Sequence, residues 1–179
     1  MIEMRVAGIA LDAITKSPIV LLKDPSERRA LPIYIGQDQA RAIIHALERQ
    51  KSPRPLTHDL MVNLLEEWGL SLERVVIHSL QDNTFYAVLT IKNGEKRKEM
   101  DARPSDAIAL ALRTDSPVWV MEEVVVDAAI PVDQDADEAE QEAFREFVDN
   151  ISPSDFIQRG GASGSETSEG QEQGGPSPS

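Results

Sequence analysis

A chain of 179 residues has room for one ordinary domain with a real core, and its hydrophobic content of 41 % is that of a globular protein. Cysteine is absent, which excludes disulfides and thiolate metal sites and leaves any metal to carboxylates and to His45, His58 and His78, a donor set suited to magnesium, manganese or calcium. The net charge of −13 is unevenly placed: residues 1–121 hold 16 Lys+Arg and 16 Asp+Glu, whereas residues 122–179 hold 2 and 15, so the acidity does not exclude a nucleic-acid-binding body.

No window approaches the ~18 apolar residues of a membrane span, and MIEMRVAGIALD lacks a basic start followed by a long apolar run, so a cytoplasmic protein without membrane attachment is expected. Met4 to Leu11 and Ile19 to Lys23 read as strands, the second closed by a turn at Asp24-Pro25-Ser26, and Ala30 to Ile35 reads as the return strand. Gly36 breaks the β pattern. Ala40, Ile43, Ile44 and Leu47 then fall at i, i+3, i+4 and i+7, one face of a helix reaching about Gln50 and stopped by Pro53 and Pro55.

Thr57 is the expected N-cap of a second helix carrying Leu60, Met61, Leu64, Leu65 and Trp68, with Gly69 at its C′ position. Val75 to Leu80, Thr84 to Lys92 and Glu95 to Ala102 read as strands, the last two joined by a two-residue turn at Asn93-Gly94. A helix that is apolar all round follows at Ala107 to Leu112, then a short strand Val118 to Met121. The domain is expected to span 1–157 and to include an acidic helix over 135–150 with Ala143, Phe144, Phe147, Val148 and Ile151 on one side; PSD at Pro153–Asp155 would start a last turn. From Gly160 the Gly, Ser, Glu, Gln and Pro content predicts a disordered tail over 160–179.

Residues 42–47 match residues 107–112 at an offset of 65, which suggests a duplicated strand-strand-helix unit whose second strands both carry basic residues, Arg28-Arg29 and Lys96-Arg97-Lys98. If both runs shared one surface they would track a phosphate backbone; otherwise they are solvated faces. Tyr34, Phe85 and Tyr86 are the aromatics near them. The expected fold class is α+β, a mixed or antiparallel sheet packed with helices.

Nucleotide-cofactor and hydrolase signatures such as the P-loop, Gly-x-Gly-x-x-Gly, His-Glu-x-x-His and Gly-x-Ser-x-Gly are missing, and no organic cofactor is expected. Two polar clusters remain, each at a helix start where N–H groups and the dipole favour anions. In RPLTHDL, Arg54 pairs with phosphate, His58 moves a proton and Asp59 orients it; alternatively Thr57 caps, Asp59 complements the dipole and His58 is merely exposed. In DARPSDAIALALR, Pro104 suits N1 and Asp106 suits the dipole, but Asp101 and Arg103 have no such role. Two readings stand: Asp101 and Asp106 hold a divalent cation with Arg103 on a phosphate, or Arg103 and an acid form a buried ion pair. His45 and His78, in apolar segments, read as structural.

LPIYIG (Leu31 to Gly36), RPLTHDL (Arg54 to Leu60), VIHSLQDNTFYAVL (Val76 to Leu89) and DARPSDAIALALR (Asp101 to Arg113), in this order, resemble the bifunctional nuclease domain family over roughly residues 1–129. The resemblance implies cleavage of DNA and RNA, a compact α+β domain and a homo-oligomer. Matching blocks supply the site by resemblance: His58, Asp59, Asp101 and Asp106 as catalytic, Arg54, Arg103 and Ser105 on phosphate, and Asp101 with Asp106 on Mg²⁺ or Mn²⁺. This sequence departs from the family's pattern at Gln39, often a glutamate there, with Asp38 as the acid beside it. The competing class is a non-catalytic oligomeric interaction module whose acidic C-terminal region meets a basic partner.

Overall fold

Alternating apolar residues, broken by turn residues, build two three-stranded meanders. The computed structural model describes residues 1–132 apart from Glu27 and Lys51, all within a compact unit Met1–Phe144. The expected acidic helix, the Pro153 turn and the tail lie outside the described residues. The first meander is β1 (Ile2–Leu11), β2 (Pro18–Lys23) and β3 (Arg29–Tyr34); the second is β4 (Ser71–Gln81), β5 (Thr84–Asn93) and β6 (Lys96–Ala102). Between them lie α1 (Gln37–Leu47) and α2 (Thr57–Glu67), and after them α3 (Pro104–Thr114), β7 (Val118–Val120), α4 (Glu122–Ala128) and β8 (Ile130–Pro131). The strands form one mixed sheet in the order β6-β5-β4-β7-β1-β2-β3-β8, in which β7 pairs parallel to β4 and antiparallel to β1. This is an α+β fold.

Strand register explains where the core sits. Paired residues share a face, so Met100, Leu89, Val75, Val118 and Met4 form one row, and Ala102, Ala87, Ile77, Val120 and Ile2 the next. Helix α3 packs on β4 and β5 and is flanked by α1 and α2. Its Ala107 to Ala111 are all buried, as an all-round apolar helix requires. Each large side chain in that run, Ile108 or Leu110, contributes roughly 1.5–3 kcal/mol of burial.

Turn chemistry is local and legible. Asp24, 3 % exposed, accepts from the Ser26 hydroxyl and the Arg28 and Arg29 amides, closing the β2–β3 turn. Asp82 and Asn83 carry β4 into β5 with φ of 47° and 59°, the left-handed pair of a type I′ turn. The turn expected at Asn93-Gly94 is displaced by one residue: Asn93 pairs with Lys96, and Gly94-Glu95 form the loop, with Gly94 at φ 57°.

Helix ends differ from expectation in two places. Leu56, not Thr57, is the N-cap of α2, and its N–H donates to Asp59 Oδ2 (2.9 Å), so the acid in the first turn serves the cap's own amide. Helix α1 ends at Leu47, ahead of the prolines, because Arg49 turns left-handed (φ 50°) and the Arg49 and Gln50 amides donate to the Ala46 and His45 carbonyls. The same motif closes α2, with Gly69 (φ 66°) in the left-handed position and Leu70 N–H on Leu65 O. Helix α4 was not expected: EEVVVDA is short and its three valines read as strand.

The two meander-plus-helix units do repeat, but not in the register of the sequence match. Helix starts Gln37 and Pro104 are 67 apart, and at that offset buried Ala40 and Ile43 meet buried Ala107 and Leu110. An offset of 65 would turn a helix by about 200° and exchange its faces.

Candidate functional site

Helices α1, α2 and α3 converge over the end of β6 around a cavity of about 720 Å³. Each element delivers a distinct part. Helix α1 presents Asp38, Arg41, Ala42 and His45, spaced i, i+3, i+4 and i+7, hence one face. The start of α2 supplies Leu56, Thr57, His58 and Met61; the β6–α3 junction supplies Met100, Asp101, Ala102, Arg103 and Asp106; Leu89 and Leu110 complete the apolar wall.

His58 and Asp106, 48 positions apart in sequence, meet here. His58 Nε2 lies 3.2 Å from Asp106 Oδ1. An ionised carboxylate only accepts, so Nε2 carries the hydrogen and the lone pair of a neutral imidazole stands on Nδ1. The pair is largely withdrawn from solvent, with the His58 side chain 12 % and the Asp106 side chain 26 % exposed. The other oxygen of Asp106, Oδ2, accepts from Arg103 Nε at 2.6 Å. That bond holds the Arg103 guanidinium above its usual pKa. The Arg103 side chain is 68 % exposed, so this pair is not the buried one that the sequence suggested; its cation stands at the cavity mouth.

The buried ion pair is elsewhere. Arg113, its side chain 9 % exposed, donates from Nε to Asp59 Oδ1 (2.6 Å) and from Nη1 to the carbonyls of Ala42 (3.0 Å) and Ala109 (2.9 Å), tying α1, α2 and α3 together beneath the site. The Arg113 bond, against the opposing effect of burial and with help from the Leu56 amide, pulls the Asp59 carboxyl below the usual aspartate range. Asp59 therefore does not orient His58, as the sequence suggested; Asp106 does, because it reaches the imidazole across the helix pair while Asp59 is held by Arg113.

The structure brings together His58, Asp101, Arg103 and Asp106 at one cavity. It leaves out Arg54, exposed in the α1–α2 loop, and Ser105, buried in the first turn of α3. Sequence reasoning missed His45, whose Nδ1 is buried without a hydrogen-bond partner among the described residues, and missed Arg113 as the strut. The spacing of Asp38, Arg41 and His45 was the available signal for the first. Gln39 also lines the cavity, its side chain folded back against Gly36 so that a Cβ there would collide with its amide.

The expected metal pair meets a different geometry. Asp106 already has one oxygen on His58 and the other on Arg103. Among the described residues no three His, Asp or Glu side chains cluster closely enough to hold an ion. A closed protein cage is thus not built here, although Asp38 and Asp101 line the cavity with no ion pair among the described residues. The two basic hairpin runs stay apart: β3 and β6 are separated by five strands, Arg29 leans on Asp24 (3.5 Å), and Tyr34 is tied by its hydroxyl to Asp12 (2.9 Å). No helix among the described residues is long and apolar enough to cross a membrane.

Comparison with known proteins adds a family. The model of the family described as "Bifunctional nuclease domain" matches residues 20–133, which spans the cavity and all of its walls. An uncharacterized protein of Mycobacterium tuberculosis is 42 % identical over 164 residues, covering 86 % of this chain and 97 % of that protein. A protein of Oryza sativa subsp. japonica named bifunctional nuclease 1, and one of Oryza minuta named bifunctional nuclease, are each 26 % identical over 126 residues, covering 69 % of this chain and 38 % of theirs.

Proposed function

This chain belongs to the bifunctional nuclease domain family, and from that premise we propose that it hydrolyses phosphodiester bonds in DNA and RNA at the cavity between α1, α2 and α3. The observation that carries the reading is the His58–Asp106 pair beside Arg103 in that cavity. His58 takes a proton from the attacking water through its free nitrogen, and Asp106 stabilises the imidazolium that results. Water oxygen bonds to phosphorus, the bond to the leaving oxygen breaks, that oxygen takes a proton from solvent water, and the imidazolium returns its proton to solvent. Arg103 faces the phosphate, offsetting the charge that builds on its oxygens.

A divalent cation, Mg²⁺ or Mn²⁺, belongs to the same proposal. Such ions are commonly held by one or two carboxylates together with substrate phosphate, and Asp38, on the cavity face of α1, is the residue that would hold it with the phosphate; Asp101 lines the cavity but alternates on β6 with Met100 and Ala102. Bound there, it would polarise a phosphate oxygen. Arg54 and Ser105 have no role in this scheme, and Asp59 acts only through the position of α2.

Self-association is the remaining part of the proposal. Leu56, Leu60, Leu64 and Trp68 lie at successive i+4 positions along α2 and its two caps and are 39, 52, 52 and 76 % exposed, an apolar stripe that suits a second copy.

The test is cleavage of end-labelled single-stranded DNA and RNA by the full chain, with Mg²⁺, with Mn²⁺ and with EDTA, beside His58→Ala. Cleavage that EDTA suppresses and His58→Ala lowers at least 100-fold is the expected result. Absence of cleavage under every condition would replace the nuclease with a binding module.

A further inference from the structure

Resting on the nuclease reading, the geometry points to a single-stranded nucleic acid as substrate, lying along the edge strand β6 with one base in the cavity and its following phosphates on Lys98 and Lys96. Among the described residues, strand β6 pairs with β5 alone, and it is exposed along almost its whole length. Its register is unbroken: Ala102, Met100, Lys98 and Lys96 stand opposite Ala87, Leu89, Ile91 and Asn93. These four β6 residues therefore share the face that carries α3, and neighbours on it are roughly 6.6–6.8 Å apart. Ala102 and Met100 line the cavity, so Lys98 and Lys96 continue the same row outward from it.

The pleat sorts the basic run. Arg97 points to the opposite face, where Nε bonds both oxygens of Glu73 at 2.8 and 2.9 Å. Lys96 and Lys98 have no ion pair among the described residues, and with exposed Arg103 at the other end they give three cations along one line. A polyanion fits that line.

The cavity selects what the polyanion must be. Met61 and Met100 stand at its mouth, 41 and 49 % exposed, above Leu89 and Leu110. Polarizable thioethers over an apolar floor suit the face of a base without reading its edge. A volume of about 720 Å³ is of small-ligand size and takes one nucleotide unit, not a duplex. A paired base reaches such a pocket only after leaving its stack, whereas a single strand offers one directly.

The experiment titrates the full-length protein in EDTA against a fluorescent oligonucleotide of about 12 nucleotides, single-stranded or annealed, reading anisotropy at several salt concentrations. Lys96→Ala/Lys98→Ala is compared with wild type, and melting curves confirm that the variant is folded. Single strands should bind about tenfold more tightly than the duplex. The double variant should bind single strands about five- to tenfold less tightly and show a slope of log K against log salt lower by about 1.4, two contacts at ~0.7 each. Wild-type affinity and slope in the variant, a preference for duplex, or no binding to either form would overturn the track. Cleavage run in parallel separates the two claims. Lysine-dependent binding without cleavage supports the track and sinks the nuclease; His58-dependent cleavage with lysine-independent binding does the reverse.

Discussion

Asp106 accepts from His58 on one oxygen and from Arg103 on the other, so one carboxylate fixes both the imidazole and the guanidinium beside it. Replacing it with asparagine keeps the shape but offers an amide where the imidazolium needs an anion. Turnover by Asp106→Asn should fall roughly 100-fold or more, with melting near wild type, as single-turnover cleavage and calorimetry would show. Arg113 makes a contrasting prediction. Arg113→Met strands the Asp59 carboxylate and two carbonyls, and should cost about 2–3 kcal/mol in denaturant titration, less than a fully buried pair because Asp59 is 35 % exposed. The Asp59 pKa is depressed in the fold, so its contribution is complete above about pH 4 and is lost as pH falls through the depressed value. Wild type should therefore lose stability on acidification more steeply than Asp59→Asn; identical acid limbs in the two melting-temperature profiles would contradict this. At this scale the sequence showed His58, Asp101, Arg103 and Asp106 by their clustering at helix starts. It did not show which acid meets which base, because partners such as His58 and Asp106 are chosen by helix packing, not by chain order.

Helix α1 closes on Arg49 in the left-handed region, where α2 uses Gly69 for the same motif. A Cβ is costly in that conformation, so Arg49→Gly should raise stability by about 0.5–1 kcal/mol in chemical denaturation. Helix α2 is the element whose pattern conflicts with its surroundings. Its periodicity called for a core face, yet only Val62 is buried while Leu60, Leu64 and Trp68 are exposed. Self-association through that stripe predicts a species larger than one chain in light scattering, converted to the monomer by Leu64→Glu with Trp68→Glu. A monomeric wild type would refute it. Strand and helix types in chain order were legible because alternation and the i, i+3, i+4 pattern report burial directly. The end of α1 and the existence of α4 were not, since a left-handed arginine and a seven-residue helix with three valines both contradict local propensity.

Across the whole molecule, the near-duplicate meanders frame the site asymmetrically. Helix α3 of the second unit is buried between α1, α2 and the sheet, whereas α1 of the first unit turns Asp38, Arg41 and His45 toward the cavity. The repeat was faintly legible in sequence but misregistered by two residues, because six small and aliphatic matches do not distinguish one helix face from another. Sheet order was beyond the sequence: nothing local tells β7 to enter between β4 and β1 and so join the meanders. The even charge balance of residues 1–121 leaves the cavity and β6 to set the local potential, while the acidic excess begins at Glu122. The cavity's polar side chains are thus concentrated where three helices meet one sheet edge.

The most direct measurement is a double-mutant cycle on cleavage of a labelled single strand, comparing wild type, His58→Ala, Asp106→Asn and the combined variant under single-turnover conditions. If the two side chains act as one unit, the combined variant should be no slower than His58→Ala alone. Rates for all three variants equal to wild type, or losses that multiply independently in the combined variant, would contradict a catalytic His58–Asp106 pair.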